Sequence, residues 1–312
     1  MVYFLLALGL VILLFGGKIL VDGASSIALK LGMSTGLIGL TVVAFGTSAP
    51  ELLVSLTAAL KGNSDISIGN VVGSNIANIG LVLGISGLLY PILIRKSHIR
   101  FEYALMILVT VLFYVLSVDL TISHVEGILL FAGFIGLNIY LFRNLGKGIQ
   151  QEEETTEAEI EEVKDYSWLL SILFFIGGIV ALYFGSELLV TNAVLISREF
   201  GVSERIIGVT IVAIGTSLPE LITSIIAAMS KRTDLALGNI LGSNIMNILS
   251  IIGLTAMVKP ISVSEAFLRS DYLWMIGISL LLYLLMKAKM RISKVEGLVL
   301  LAAYIAYLVF LL

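Results

Sequence analysis

Two glutamates stand where a charge is expensive. Glu51 lies in the run Gly39 to Ser55, G-L-T-V-V-A-F-G-T-S-A-P-E-L-L-V-S, and Glu220 lies in Gly208 to Ser224, G-V-T-I-V-A-I-G-T-S-L-P-E-L-I-T-S, a near copy displaced by 169 residues. An unpaired charge in mid-membrane costs at least about 3 kcal/mol, so each acid requires a counter-ion, a proton or a cation cargo. No basic residue is near either in sequence. A protonated glutamate bonded between helices is the plain alternative, and it gives no reason for the same acid to recur beside the same proline.

The groups around the acids are all oxygen donors. They are the hydroxyls of Thr47, Ser48, Ser74, Thr216, Ser217 and Ser243, the amides of Asn78 and Asn247, and carbonyls freed at Ala44, Thr47, Ala213 and Thr216. Cysteine is absent and only two histidines occur, His98 and His124, both at segment ends and read as interfacial residues. Hard cations, which take six to eight oxygens, fit such a donor set, whereas transition metals do not. Two carboxylates neutralise one Ca²⁺, and neutral oxygens suit Na⁺, so one site can take one divalent or several monovalent ions. An unloaded pair of ionised acids crosses a low-dielectric interior poorly, which favours exchange over uniport. An intramembrane enzyme lacks a nucleophile-positioning His or Asp here, and a passive channel would need no counter-ion.

The elements that position these groups follow from composition. The chain has 312 residues, 58% hydrophobic and 13% charged, with a mean hydropathy of +1.07, which marks an integral membrane protein. Ten apolar runs approach the roughly 20 residues that span a bilayer, near 2–20, 34–60, 66–90, 101–118, 123–142, 167–191, 203–230, 236–258, 271–287 and 295–312. The first has neither a basic leader nor a cleavage site and reads as a permanent span. The net charge of −3 reports topology and not partners. No nucleic acid, obligatory protein partner or cofactor is called for, only the bilayer and the transported ions.

The 169-residue offset extends beyond the acids. G69-N-V-V-G-S-N-I-A-N-I matches G238-N-I-L-G-S-N-I-M-N-I, and Pro50 and Pro91 answer to Pro219 and Pro260. The expected fold is an all-α polytopic membrane protein of ten helices in two inverted five-helix repeats, with broken helix pairs at the core, because an odd repeat enters the membrane from opposite faces. Residues 1–142 form the first repeat, 143–166 an acidic cytoplasmic linker and 167–312 the second repeat. With both termini outside, thirteen Lys and Arg, among them Lys30, Arg95, Arg143, Lys231 and Lys294, fall in cytoplasmic connections against five outside. Lys18 and Asp22 are expected to snorkel to the cytoplasmic surface. Asp65 and Asp234 read as N-caps or first-turn acids.

The paired motifs, G-T-S-A-P-E with G-N-V-V-G-S-N-I-A-N and G-T-S-L-P-E with G-N-I-L-G-S-N-I-M-N, resemble the two alpha repeats of the cation/calcium exchanger superfamily, in its sodium/calcium exchanger branch of prokaryotic type. The resemblance implies a secondary antiporter that trades Na⁺ for Ca²⁺ by alternating access. On that resemblance Glu51 and Glu220, with the carbonyls of Thr47 and Thr216, hold Ca²⁺. Ala44, Ser48, Ser74, Asn78, Ala213, Ser217, Ser243 and Asn247 serve Na⁺, and the first and sixth helices slide as a pair. Potassium-dependent relatives carry Asp at one of the two positions held here by Asn78 and Asn247, which argues against K⁺ co-transport. The rival within the superfamily, a proton/cation exchanger, is disfavoured by G-T-S-x-P-E at both positions.

Overall fold

Helix α1 (Val2–Leu31) has 30 residues, about 45 Å at 1.5 Å per residue, longer than a hydrocarbon core of roughly 30 Å. It stops where Gly32 turns left-handed, φ 62° and ψ 34°, and returns its N–H to the carbonyls of Ala28 and Leu29. The structure, a computed structural model, describes residues 1–145, 164–201 and 213–311. After α1 come α2 (Thr35–Thr47), α3 (Ala49–Leu60), α4 (Ser64–Leu89), α5 (His98–Leu116) and α6 (His124–Arg143). The second half holds α7 (Trp168–Glu199), α8 (Ala213–Thr216), α9 (Leu218–Met229), α10 (Thr233–Val258), α11 (Phe267–Lys289) and α12 (Lys294–Leu311).

Eight of the described helices are long and apolar enough to cross a membrane, nine when α2 and α3 count as one bent span. The run expected at 203–230 has its first part, and the acidic linker most of its length, outside the described residues.

Proline explains the bend. Pro50 and Pro219 sit in the first turn of α3 and α9, where a missing N–H is tolerated, but neither can complete the helix before it. The chain turns at the preceding serines, Ser48 (φ −86°, ψ 8°) and Ser217 (φ −86°, ψ 5°), and α2 meets α3 at 46°. Pro219 leaves the Gly215 carbonyl without its helical donor, and the Ser186 hydroxyl of α7 donates to it at 2.7 Å. The partner spans α4 and α10 depart from expectation. They contain no proline and are not broken; each widens instead into a π-helical turn, Asn78–Leu83 and Asn247–Ile252.

Burial separates centre from rim. In α4 and α10, 83% and 89% of the best apolar window is buried, against 33% in α1 and 17% in α6, whose apolar outer faces suit lipid contact. Helices α1 and α7 run antiparallel and unusually close. Gly9, Gly16 and Gly23 recur every seven residues, and a Cβ on them would fall 2.8 Å from Leu189 N, 2.8 Å from Ala181 Cβ and 2.7 Å from Phe175 N. Ser26 and Ser171 share a 2.8 Å hydrogen bond at one end of this seam, and Lys30 pairs with Asp165 beside it.

Two short antiparallel clasps close the ends. Strand β1 (Ile92–Leu93) pairs with β4 (Arg291–Ile292), and β2 (Thr121–Ile122) with β3 (Ile261–Ser262). Charged residues near the ends are engaged more than expected. Asp22 does not snorkel: Arg232, nearly buried, reaches its carboxylate at 2.9 Å and the Val21 carbonyl at 3.3 Å. Asp234 is a first-turn acid of α10, as expected, and binds Arg95 at 2.6 Å with His98 at 3.5 Å. His98 is buried and not interfacial, because its ring closes the turn after β1 by accepting the Arg95 N–H at 3.1 Å. His124 is exposed, beside the Met257 carbonyl at 3.1 Å.

Candidate cation-binding site

The two bends bring their acids to one place. Glu51 and Glu220 each stand in the first turn after the break, both 1% exposed, and close enough to feel each other's charge. Ser48, at the first bend, donates to Glu220 Oε1 at 2.9 Å across the two halves. Thr47 and Ser243 also lie beside Glu220. The Thr47 hydroxyl is 3.2 Å from Asn239 Oδ1 and 3.3 Å from the Ala44 carbonyl.

The π-helical turns begin at the two other expected donors. Asn78 and Asn247 open them, and Ser74 and Ser243 lie one helical turn earlier, all four buried. The structure thus gathers Thr47, Ser48 and Ser243 at Glu220 with Glu51 nearby, places Ser217 at the second bend, and sets Ser74, Asn78 and Asn247 buried in α4 and α10. Thr216 lies on the same break and is less buried. Ala213 begins α8 at the edge of the described residues. The Ala44 carbonyl differs from expectation, since it is not freed by the bend: it accepts the Ser48 N–H at 3.0 Å as well as approaching the Thr47 hydroxyl.

Several oxygens of the candidate site lack a hydrogen-bond partner. Glu51 Oε2, Glu220 Oε2, Asn78 Oδ1, Asn247 Oδ1, Ser217 Oγ and Ser243 Oγ are all buried without a hydrogen-bond partner. Each such acceptor costs about 1–3 kcal/mol if nothing meets it. A hard cation, which takes oxygen ligands and offers no competing acceptor, can meet several such oxygens together. Among the described residues no group of three or more His, Asp and Glu side chains is placed to share an ion, so neutral oxygens must complete any coordination shell around the two acids.

The family model described as sodium/calcium exchanger protein matches residues 1–143 and 170–312. The chain belongs to the sodium/calcium exchanger family. This exchanger is 43% identical to CaxA of Alkalimonas amylolytica, over 96% of the chain and 95% of that protein. It is 34% identical to the sodium/calcium exchanger MaX1 of Methanosarcina acetivorans, over 99% of the chain and 98% of MaX1. Among solved structures it resembles the sodium-calcium exchanger NCX_Mj soaked with zero Na⁺ and Ca²⁺, with a TM-score of 0.85 and 32% identity, covering 100% of this chain and 99% of that one.

Four asparagines that sequence reasoning passed over hydrogen-bond residues of the candidate site or of the helices that carry it. Asn70 donates to the Glu51 carbonyl at 3.1 Å and to Ser55 Oγ at 2.9 Å, fixing the turn that carries the acid. Asn239, its equivalent 169 residues on, donates to Ser224 Oγ at 3.0 Å. Asn75 and Asn244 bridge the halves at the level of Asn78 and Asn247. The signal was present: all four recur at the offset, as polar residues in otherwise apolar helices.

Proposed function

We propose that the protein exchanges Na⁺ for Ca²⁺ by alternating access, extruding Ca²⁺ on the inward Na⁺ gradient. The observation that carries this reading is the pair of buried glutamates, each in the first turn after a proline bend, near enough to feel each other and each with a carboxylate oxygen that has no hydrogen-bond partner. Glu51 and Glu220, with the Thr47 and Thr216 carbonyls, are the Ca²⁺ ligands. Ser48, Ser74, Asn78, Ala213, Ser217, Ser243 and Asn247 serve Na⁺. Ala44 joins them only when the Thr47 hydroxyl turns wholly to Asn239.

The full architecture in this reading is ten spans in two inverted repeats, 1–142 and 167–312, joined by a cytoplasmic acidic linker at 143–166. Parity supports the tenth span. Residues 92–93 pair with 291–292, and groups that touch lie on one side of the membrane. Between them lie α5, α6, α7, α10 and α11, five candidate crossings, and a sixth at 203–230 makes the number even. The pairing of 121–122 with 261–262, and the ion pair of Arg95 with Asp234, support the same crossing. Both termini are outside on the basic-residue count. Helices α1 and α7, bound to each other along their glycine seam, move as a unit against α4 and α10.

Reconstitution into sealed vesicles tests the function. Isotopic Ca²⁺ uptake is expected to follow an imposed Na⁺ gradient and to ignore H⁺ and K⁺ gradients; uptake that follows pH and ignores Na⁺ would sink the reading. Glu51→Gln and Glu220→Gln should each abolish Ca²⁺ transport, because one remaining carboxylate leaves the divalent ion half neutralised. Near-normal exchange in either variant removes the acid pair from the mechanism.

A further inference from the structure

Asn75 and Asn244 form a closed network whose polarity is dictated by the backbone. A carbonyl can only accept. The Asn75 side-chain NH₂ donates to the Asn244 carbonyl at 3.3 Å, and the Asn244 NH₂ donates to the Asn75 carbonyl at 3.3 Å. Each NH₂ also faces a methionine sulfur, Met275 at 3.8 Å and Met106 at 3.6 Å, again an acceptor only. Both amides are thereby held with their oxygens on the opposite side. Asn75 Oδ1 accepts from Asn247 Nδ2 at 3.0 Å, and Asn244 Oδ1 accepts from Asn78 Nδ2 at 3.1 Å.

The consequence falls on the next shell. With their NH₂ groups committed, Asn78 and Asn247 present Oδ1, and these two oxygens are among those buried without a partner. Turning either amide over would oppose two oxygens at the network and aim a donor at the cation. We infer that Asn75 and Asn244, which are not themselves ligands, are positioning residues that fix the amide oxygens of Asn78 and Asn247 toward the transported ions. All four are at most 2% exposed, so bulk solvent does not reach them. The inference rests on the reading above that Asn78 and Asn247 are ligands.

A double-variant cycle in the full chain tests it. Na⁺-driven Ca²⁺ flux in proteoliposomes is measured against Na⁺ and Ca²⁺ concentration for wild type, Asn247→Ala, Asn75→Leu and the double variant. Asn75→Leu is expected to raise the half-saturating Na⁺ by about five-fold or more, with the maximal rate little changed. The double variant should be no worse than Asn247→Ala alone, because Asn75 acts through Asn247. Additive losses, or an unchanged Na⁺ dependence in Asn75→Leu where Asn247→Ala shifts it, overturn the positioning role. If Asn247→Ala itself leaves both ion dependences at wild type, the ligand assignment beneath it fails, a separate result that overturns both. Asn244→Leu with Asn78→Ala repeats the cycle through the other half and decides the matter if Asn75→Leu does not fold.

Discussion

Ser48 and Ser217 hold equivalent places in the two motifs, yet only Ser48 has a partner, the Glu220 carboxylate at 2.9 Å; the Ser217 hydroxyl is buried and unpaired. Removing them should therefore separate stability from binding. Ser48→Ala deletes a hydrogen bond worth about 1–3 kcal/mol to a carboxylate and should lower the melting temperature of the ion-free protein by a few degrees. Ser217→Ala deletes a buried hydroxyl that has no partner and should leave that temperature unchanged or raise it, while both variants weaken Na⁺ binding. Equal melting shifts in ion-free buffer would refute the contrast. The same scale explains what the sequence could reveal. Glu51 and Glu220 were legible because an acid in an apolar run has few uses, and the nearby hydroxyls because they recur with it. Asn75 and Asn244 recur as well, but what they do was not legible, because their partners lie across the repeat, at residues 244, 247, 75 and 78. Their network also bears on the choice of side chain. An ionised Asp at position 247 would set a carboxylate against Asn75 Oδ1 with no proton between them, which favours the neutral amide found there.

Helices α1 and α7 illustrate the next scale, where close approach decides the architecture. A Cβ on Gly178 would sit 2.6 Å from Leu20 Cβ and 2.7 Å from Leu20 Cα, so backbone and not merely a flexible side chain would have to move. Gly178→Ala should prise the pair apart, at a cost of about 1–3 kcal/mol for overpacking, and slow exchange if the two helices move as one body. Gly136→Ala is the control, since nothing lies within 4 Å of its Cβ position. Thermal unfolding and flux on the two variants check this; equal behaviour would mean that the seam is not tight in the membrane. The bends at Ser48 and Ser217 were readable from Pro50 and Pro219. The π-helical turns of α4 and α10 were not, since one extra residue in a turn leaves no proline or glycine rule behind, and the absence of a break there corrects the expectation of four interrupted helices.

For the whole molecule, every clasp imposes the same parity. Arg95 with Asp234 and β1 with β4 join segments that the proposed ten crossings put on one face, and Lys30 with Asp165 fits the same arrangement within the first half. In the proposed orientation that face is cytoplasmic, and the proposal depends on a crossing at 203–230, whose first part lies outside the described residues. The absence of cysteine makes this testable with one thiol at a time. In intact cells a membrane-impermeant maleimide should label Glu199→Cys, which precedes the segment, and should miss Lys231→Cys, which follows it, until the membrane is opened. Lys96→Cys, beside β1, should behave like Lys231→Cys. Labelling of residues 199 and 231 from the same side would remove the tenth span and, with it, the inversion that sets Glu220 opposite Glu51. Labelling of 231 and 96 alone would keep the inversion and reverse the orientation, so that the two acids would still meet but Ca²⁺ extrusion would have to be driven from the other face.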